Sequence, residues 1–248
     1  MILDFSVGEI FLIGLIFIWT GFVRSGLGFG GAALGLPLML FIHEQAIYWL
    51  PIIGLHLLFF TSLTLRTRIK NVDWAYLKSS ALFIIPPTLI GVFGLITLPN
   101  DWLIIFIYSV TLFYAALWSL NLNIQSNNKW LDRFLLSLGG YVAGTSLTGA
   151  PLMVAVYIRH VASHQLRDTL FVLWFVLVSI KMTTFVALGV EIPFLAALYL
   201  LPLGAAGHII GLKAHALILQ NDLLFKRIIG LVLILISCLG LSHVLNFI

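Results

Sequence analysis

Charge is scarce in this chain: 9% of its 248 residues are Asp, Glu, Lys or Arg, while 61% are apolar or aromatic. An ordinary soluble domain carries about a quarter charged side chains, so a water-soluble globular fold is excluded. Cysteine is nearly absent as well. The single Cys238 lies inside the last apolar stretch, which leaves neither a disulfide framework nor a cysteine-based metal site, and the reading is of a chain with no metal and no cofactor. No basic residue precedes the first apolar stretch, which follows Asp4 and Glu9, whereas a secretory signal peptide opens on positive charge. That stretch is expected to stay in the mature protein. Polar segments large enough for a catalytic domain are also missing: one transmembrane helix takes about 20 apolar residues, so the length accommodates roughly eight spans and little else. The activity is expected inside the bilayer, and the protein is not expected to be an enzyme.

What is present is a series of apolar runs. Those beginning at Ala46, Tyr76, Trp102, Thr169, Phe194 and Ile228 are long enough to span. Four shorter runs form two pairs, Ile10 to Val23 with Ala32 to Ile42 and Phe134 to Ala143 with Pro151 to Ile158, each broken by a cluster of Gly, Ser or Thr. Pro86 and Pro87 fall inside a spanning run, where they imply a kink and need not end the helix.

Of the 13 Lys and Arg residues, all but Arg24 and Lys181 fall in or beside four short connections, around Arg66 to Lys78, Lys129 to Arg133, Arg159 to Arg167 and Lys213 to Arg227. Scattered in this way they make no groove for nucleic acid. The positive-inside rule places these connections in the cytoplasm. The opposite ones carry Asp4, Glu9, Glu44, Asp101 and Glu191 without any Lys or Arg, and with them both termini are expected outside.

Phe134 to Ile158 then begins and ends on the cytoplasmic side. Its roughly 25 residues reach about 37 Å as helix, short of the roughly 60 Å that two crossings need. A re-entrant hairpin is expected, with Gly144 to Gly149 as its tip, and the break from Arg24 to Gly31 should make a matching hairpin from outside.

Sliding the chain on itself by 118 (144 minus 26) superposes Gly26 on Gly144, Gly31 on Gly149 and Ala32 on Ala150. Similar shifts bring Gln45 onto Gln165, and Gly91 and Gly94 onto Gly204 and Gly207. The expected fold is an all-α polytopic membrane protein of two repeats, residues 1–122 and 123–248, each a broken or re-entrant hairpin followed by three transmembrane helices. The charge pattern makes the repeats inverted, a plan that secondary transporters share. Gly-x-x-Gly pairs also serve plain helix packing.

Gly26, Gly28 and Gly31 satisfy G-x-G-x-x-G literally, yet no βαβ unit surrounds them, so the dinucleotide reading fails. A rhomboid-type G-x-S-G reading of Ser25 fails too, because Val23 stands two residues before it. The glycines, with Gly30 and Gly149, can instead expose backbone N–H groups at a half-helix end that favours an anion. Ser25, Thr145, Ser146 and Thr148 add hydroxyls, which either serve as donors to that anion or bond back to helix carbonyls.

The stretch Gly26-Leu-Gly-Phe-Gly-Gly-Ala-Ala-Leu-Gly-Leu-Pro37, echoed by Gly144-Thr-Ser-Leu-Thr-Gly-Ala-Pro151, resembles the TauE/SafE family of sulfite exporters and their relatives along essentially the whole chain. The resemblance implies a carrier that moves sulfite, sulfonates or other small sulfur-containing or organic anions across the bacterial cytoplasmic membrane. Thr145, Ser146 and Thr148 stand where the family more often has glycine, which bears on the choice of anion.

Arg24, at the first break, and Lys181, inside the span that begins at Thr169, are ionisable groups at membrane depth and so candidates for holding the substrate. Lys181 can alternatively snorkel to the outer surface. His56 and His208 are candidates for a coupling proton, sodium being the other ion considered. The expected partners are thus a small anion, the lipid bilayer and a coupling ion, and an oligomer is compatible with the sequence. Two rivals stay open: a membrane anchor holding haem through His56 and His208, and an anion channel.

Overall fold

The computed structural model describes residues 5–122 and 128–247. Asp4, used above for orientation, and the first residues after the 122/123 boundary lie outside the described residues. Among those described there is no strand. The chain runs through α1 (Val7–Leu27), α2 (Gly31–Met39), α3 (Ala46–Arg68), a 3-10 turn (Ile69–Asn71), α4 (Trp74–Thr97), α5 (Asn100–Ser119), α6 (Lys129–Ser146), α7 (Ala150–His160), α8 (Ser163–Ala187), α9 (Phe194–Gln220) and α10 (Asp222–Phe247). Seven of these, α1, α3, α4, α5, α8, α9 and α10, are long and apolar enough to cross a membrane. The six expected spans are among them, and α1 shows that the first arm of the first hairpin is itself of spanning length.

Local sequence sets the ends. Ser6 and Glu9 form a capping box at the start of α1, with the Ser6 amide donating to Glu9 Oε2 at 2.7 Å. Asn128 caps α6 by accepting from the Trp130 amide at 2.9 Å, so that helix starts five residues before the apolar run at Phe134. Pro86 and Pro87 both lie within α4, which continues through them.

The helices gather into two compact units, each drawn from both halves of the chain. In one, α1 lies along α9, α5 along α10, and α2 packs on α1, α5 and α10. Contact between α1 and α9 is backbone to backbone: a Cβ at Gly21 would strike the Gly204 carbonyl oxygen, and one at Gly207 the Ile18 carbonyl oxygen. In the other unit, built from α4, α6, α7, α8 and α3 from Leu50 onward, α4 lies along α6. There a Cβ at Gly91 would meet the Tyr141 carbonyl oxygen and one at Gly144 that of Thr88. Small residues at these crossings supply the close packing that apolar solvent cannot drive by hydrophobicity.

In hydrocarbon every backbone polar group needs a protein partner. Pro37, inside α2, has no N–H for the carbonyl of Ala33 four residues earlier. The Tyr114 hydroxyl of α5 fills the vacancy, donating to Ala33 O at 2.5 Å, and Tyr108 donates to Pro37 O at 3.2 Å. A nine-residue half-helix is thereby fastened near both of its ends by two buried phenols.

Candidate functional site: two broken hairpins

The first break is shorter than its glycine-rich sequence. Helix α1 continues through Leu27, so Arg24, Ser25 and Gly26 lie in its last turns rather than in a loop opening at Arg24, as expected from sequence. Gly28 and Gly30 carry the reversal, with φ of 81° and 84°, a left-handed backbone that an L side chain adopts only at a cost. Gly31 is different. Its backbone is helical, and a Cβ there would lie 3.0 Å from the Thr20 carbonyl oxygen and 3.1 Å from Arg24 Cβ. Close approach of α2 to α1, not a positive φ, is therefore what the glycine permits. Gly30 caps α2 without a side chain, and the amides of Gly31, Ala32 and Ala33 precede the first intrahelical bond, from Leu34 N to Gly30 O at 2.8 Å.

Arg24 is buried at 5% exposure, its stem against Gly31. Ser25, fully buried, donates its hydroxyl hydrogen to Gly21 O at 3.0 Å and also bonds His208 Nδ1 of α9. His215, about two helical turns further along α9, donates from Nδ1 to the Gly26 carbonyl at 2.6 Å and so caps the end of α1. Sequence reading passed over His215, because a histidine near a run end gives no signal that a carbonyl of a distant helix awaits it.

The second break is Leu147 to Gly149. Here the left-handed residue is Leu147, with φ of 59°, while Gly149 is right-handed at −70°. That position needs glycine because a Cβ would run into the Gly139 carbonyl oxygen and come within 2.7 Å of Ala143 N. Pro151 occupies the first turn of α7, where its missing N–H costs no helical bond.

The hydroxyls of this break are turned inward. Thr145 donates to Tyr141 O and Val142 O, each at 3.1 Å, and Ser146 donates to Val142 O at 3.0 Å. The Ser146 and Thr148 hydroxyls also bond each other at 2.6 Å. All four hydroxyls proposed from sequence as anion donors, Ser25 included, are thereby engaged with protein partners.

Lys181 does not snorkel. Its side chain is 1% exposed and its Nζ donates to the Thr145 carbonyl at 3.1 Å, at the carbonyl end of α6. His56 is buried on α3, edge-to-face with Phe60 at 6.1 Å, in the unit that does not contain His208.

The open end of the α6–α7 hairpin is tied by charge. Asp132, in the first turn of α6, accepts from Arg159 Nη2 at 2.6 Å and pairs with His160 Nε2 at 2.7 Å, both at the end of α7. The Tyr76 ring of α4 stacks on His160 at 5.1 Å, and Tyr157 bonds Ser80 at 2.6 Å. Each charge also opposes its own helix dipole. From sequence Arg159 was only one of the cytoplasmic basic residues.

A family model described as sulfite exporter TauE/SafE matches residues 12–239. No curated protein and no solved structure matches the chain.

Proposed function

Because the chain belongs to the TauE/SafE sulfite exporter family, and is a membrane transporter of that family, we propose that it carries small oxyanions, such as sulfite, organosulfonates and related sulfur-containing or organic anions, by alternating access. The observation that carries the reading is a buried basic side chain at each broken hairpin, Arg24 at the first and Lys181 at the second. Stripping water from an anion costs several kcal/mol or more. A half-helix end contributes a partial charge of only about +0.5, so a full positive charge is needed close by. Arg24 adds a planar fork that grips two oxygens of one oxyanion. Gly31 and Gly149, by letting the arms of each hairpin close on one another, aim the α2 and α7 amides.

The helix pairing supports an inverted repeat over residues 1–122 and 123–248. If α1 is matched with α6 and α4 with α9, the contact of α1 with α9 becomes that of α6 with α4. Membership of the family supports a bacterial cytoplasmic membrane as its location, and the positive-inside pattern supports both termini outside.

A binding screen of the purified protein against sulfite, sulfate, thiosulfate, sulfonates and carboxylates tests the substrate class. Arg24→Gln should weaken the anion that binds best by about 30-fold or more, equivalent to about 2 kcal/mol, and Arg24→Lys should weaken it partially. Unchanged affinity in both variants would remove Arg24 from the site. Flux in proteoliposomes that rises linearly with concentration and ignores every ion gradient would replace the carrier by a channel.

A further inference from the structure

We propose that Lys181 carries the coupling proton: its amine is neutral when the second hairpin is empty, and takes up a proton as the anion arrives. The inference rests on the oxyanion reading above and adds the coupling to it.

Lys181 lies well inside α8 and is buried, with 1% exposure. A protonated amine has three hydrogens to donate. The hydrogen bond it makes, to Thr145 O at 3.1 Å, uses one, and the Phe185 ring, 5.8 Å from Nζ to centroid, offers a weak π-face. Among the described residues no carboxylate lies within ion-pair distance. The acids of its unit are engaged or exposed elsewhere: Asp132 with Arg159 and His160, Asp168 with Asn71 and Arg68, Asp73 with the Tyr76 amide, and Glu191 at the surface. Asp168, on the same helix, is about 20 Å away at 1.5 Å per residue.

The elements packed on α8 bring other titratable groups. Tyr76 and Lys78 start α4, Tyr157 is near the end of α7, and Lys70 is in the 3-10 turn, all toward the Asp132 and Asp168 end. Tyr141 of α6 directs its hydroxyl to Gly94, and His56 of α3 lies two residues from Gly54, which packs on Met182. None of them hydrogen-bonds to Nζ, and none supplies a negative charge.

A full ammonium so placed is poorly compensated, because one carbonyl and the partial negative charge of a helix end do not replace its water. A neutral amine keeps the bond to Thr145 O and leaves no buried charge. Arrival of an anion reverses the preference: the amine nitrogen gains a proton from bulk solvent, becoming an ammonium paired with the substrate, and it gives the proton back when the substrate leaves. A monoanion then moves with one proton and no net charge. By linkage the sign follows. Anion affinity falls as pH rises wherever the empty amine is neutral, by about tenfold per pH unit for one proton.

The test is calorimetric titration of the purified full-length protein with methanesulfonate, thiosulfate and sulfate, anions that take up no proton themselves between about pH 6 and 9. Runs in two buffers of different ionisation enthalpy give the proton count. The wild type should take up about one proton per anion and lose affinity with rising pH as above. Lys181→Arg, permanently charged, should bind without proton uptake and independently of pH, and Lys181→Met should bind weakly and also without uptake. A wild type that binds with no proton uptake overturns the inference and leaves the oxyanion reading standing. Uptake that persists in both variants overturns it as well, by moving the carrier to another group such as His56 or His208. If none of the three anions binds, the oxyanion reading fails and this inference with it. Should neither variant be monodisperse, a wild type that takes up no proton still overturns the inference.

Discussion

Tyr114→Phe isolates the device that holds the first half-helix in place. The hydroxyl is buried in a core of Val23, Ala33, Leu34, Ala115 and Leu233, and it donates at 2.5 Å to the one carbonyl that Pro37 leaves without its helical partner. Deleting it strands that carbonyl in a site without water, which costs about 1–3 kcal/mol. Pro37→Ala restores an amide at the proper spacing for Ala33 O. In that background the same deletion removes a redundant donor and should cost below about 1 kcal/mol, so a coupling of about 1–2 kcal/mol is expected between positions 37 and 114. Reversible unfolding in mixed micelles, titrated with a denaturing detergent, measures the wild type, both single variants and the double variant, and the effect of Pro37→Ala by itself cancels in the cycle. If Tyr114→Phe costs the same in both backgrounds, to within about 0.5 kcal/mol, the phenol is not the partner of the freed carbonyl and the account of α2 fails.

Three further outcomes are expected. Gly149→Ala should destabilise by about 1–3 kcal/mol through overpacking, whereas Gly94→Ala, whose Cβ would find Tyr141 Oη at 3.5 Å and Thr145 Cγ2 at 3.7 Å, should be near neutral; thermal unfolding followed by size-exclusion chromatography compares them, and leucine at Gly31 or Gly149 should abolish flux while the protein still inserts. Asp132→Asn should cost about 1–3 kcal/mol, between the exposed and the buried limits for ion pairs, since the Arg159 and Asp132 side chains are 18% and 11% exposed. Adding Arg159→Gln to it should cost little more, and additive losses in the unfolding assay would show that the two act separately. Reporter fusions to either terminus should be active only outside the cytoplasm, and a cytoplasmic carboxy terminus would remove one crossing and with it the inverted repeat.

Composition and periodicity alone determined that this chain lives in a bilayer, where six of its seven membrane-length helices run and which segments are broken, because hydrocarbon imposes the same length and polarity rule on every crossing. The motif Gly26 to Pro37 and its echo at Gly144 to Pro151 carried the family, and the family model over residues 12–239 agrees. Sequence could not say which glycines bend the chain and which admit a neighbour. Gly28 and Gly30 take a left-handed backbone, while Gly31 and Gly149 are helical and make room for another segment, a distinction that exists only once α2 lies on α1 and α7 on α6. Nor could sequence settle the polar groups. Ser25, Thr145 and Ser146 bond inward because the nearest acceptors are their own helix carbonyls, a local preference that competes with any ligand, and Thr148 bonds Ser146. Tyr114, His215 and Lys181 meet their carbonyls across long stretches of chain. Those meetings depend on which helices pair, α5 with α2, α9 with α1 and α8 with α6, and pairing in a membrane is decided by shape and backbone satisfaction, which no window of sequence contains.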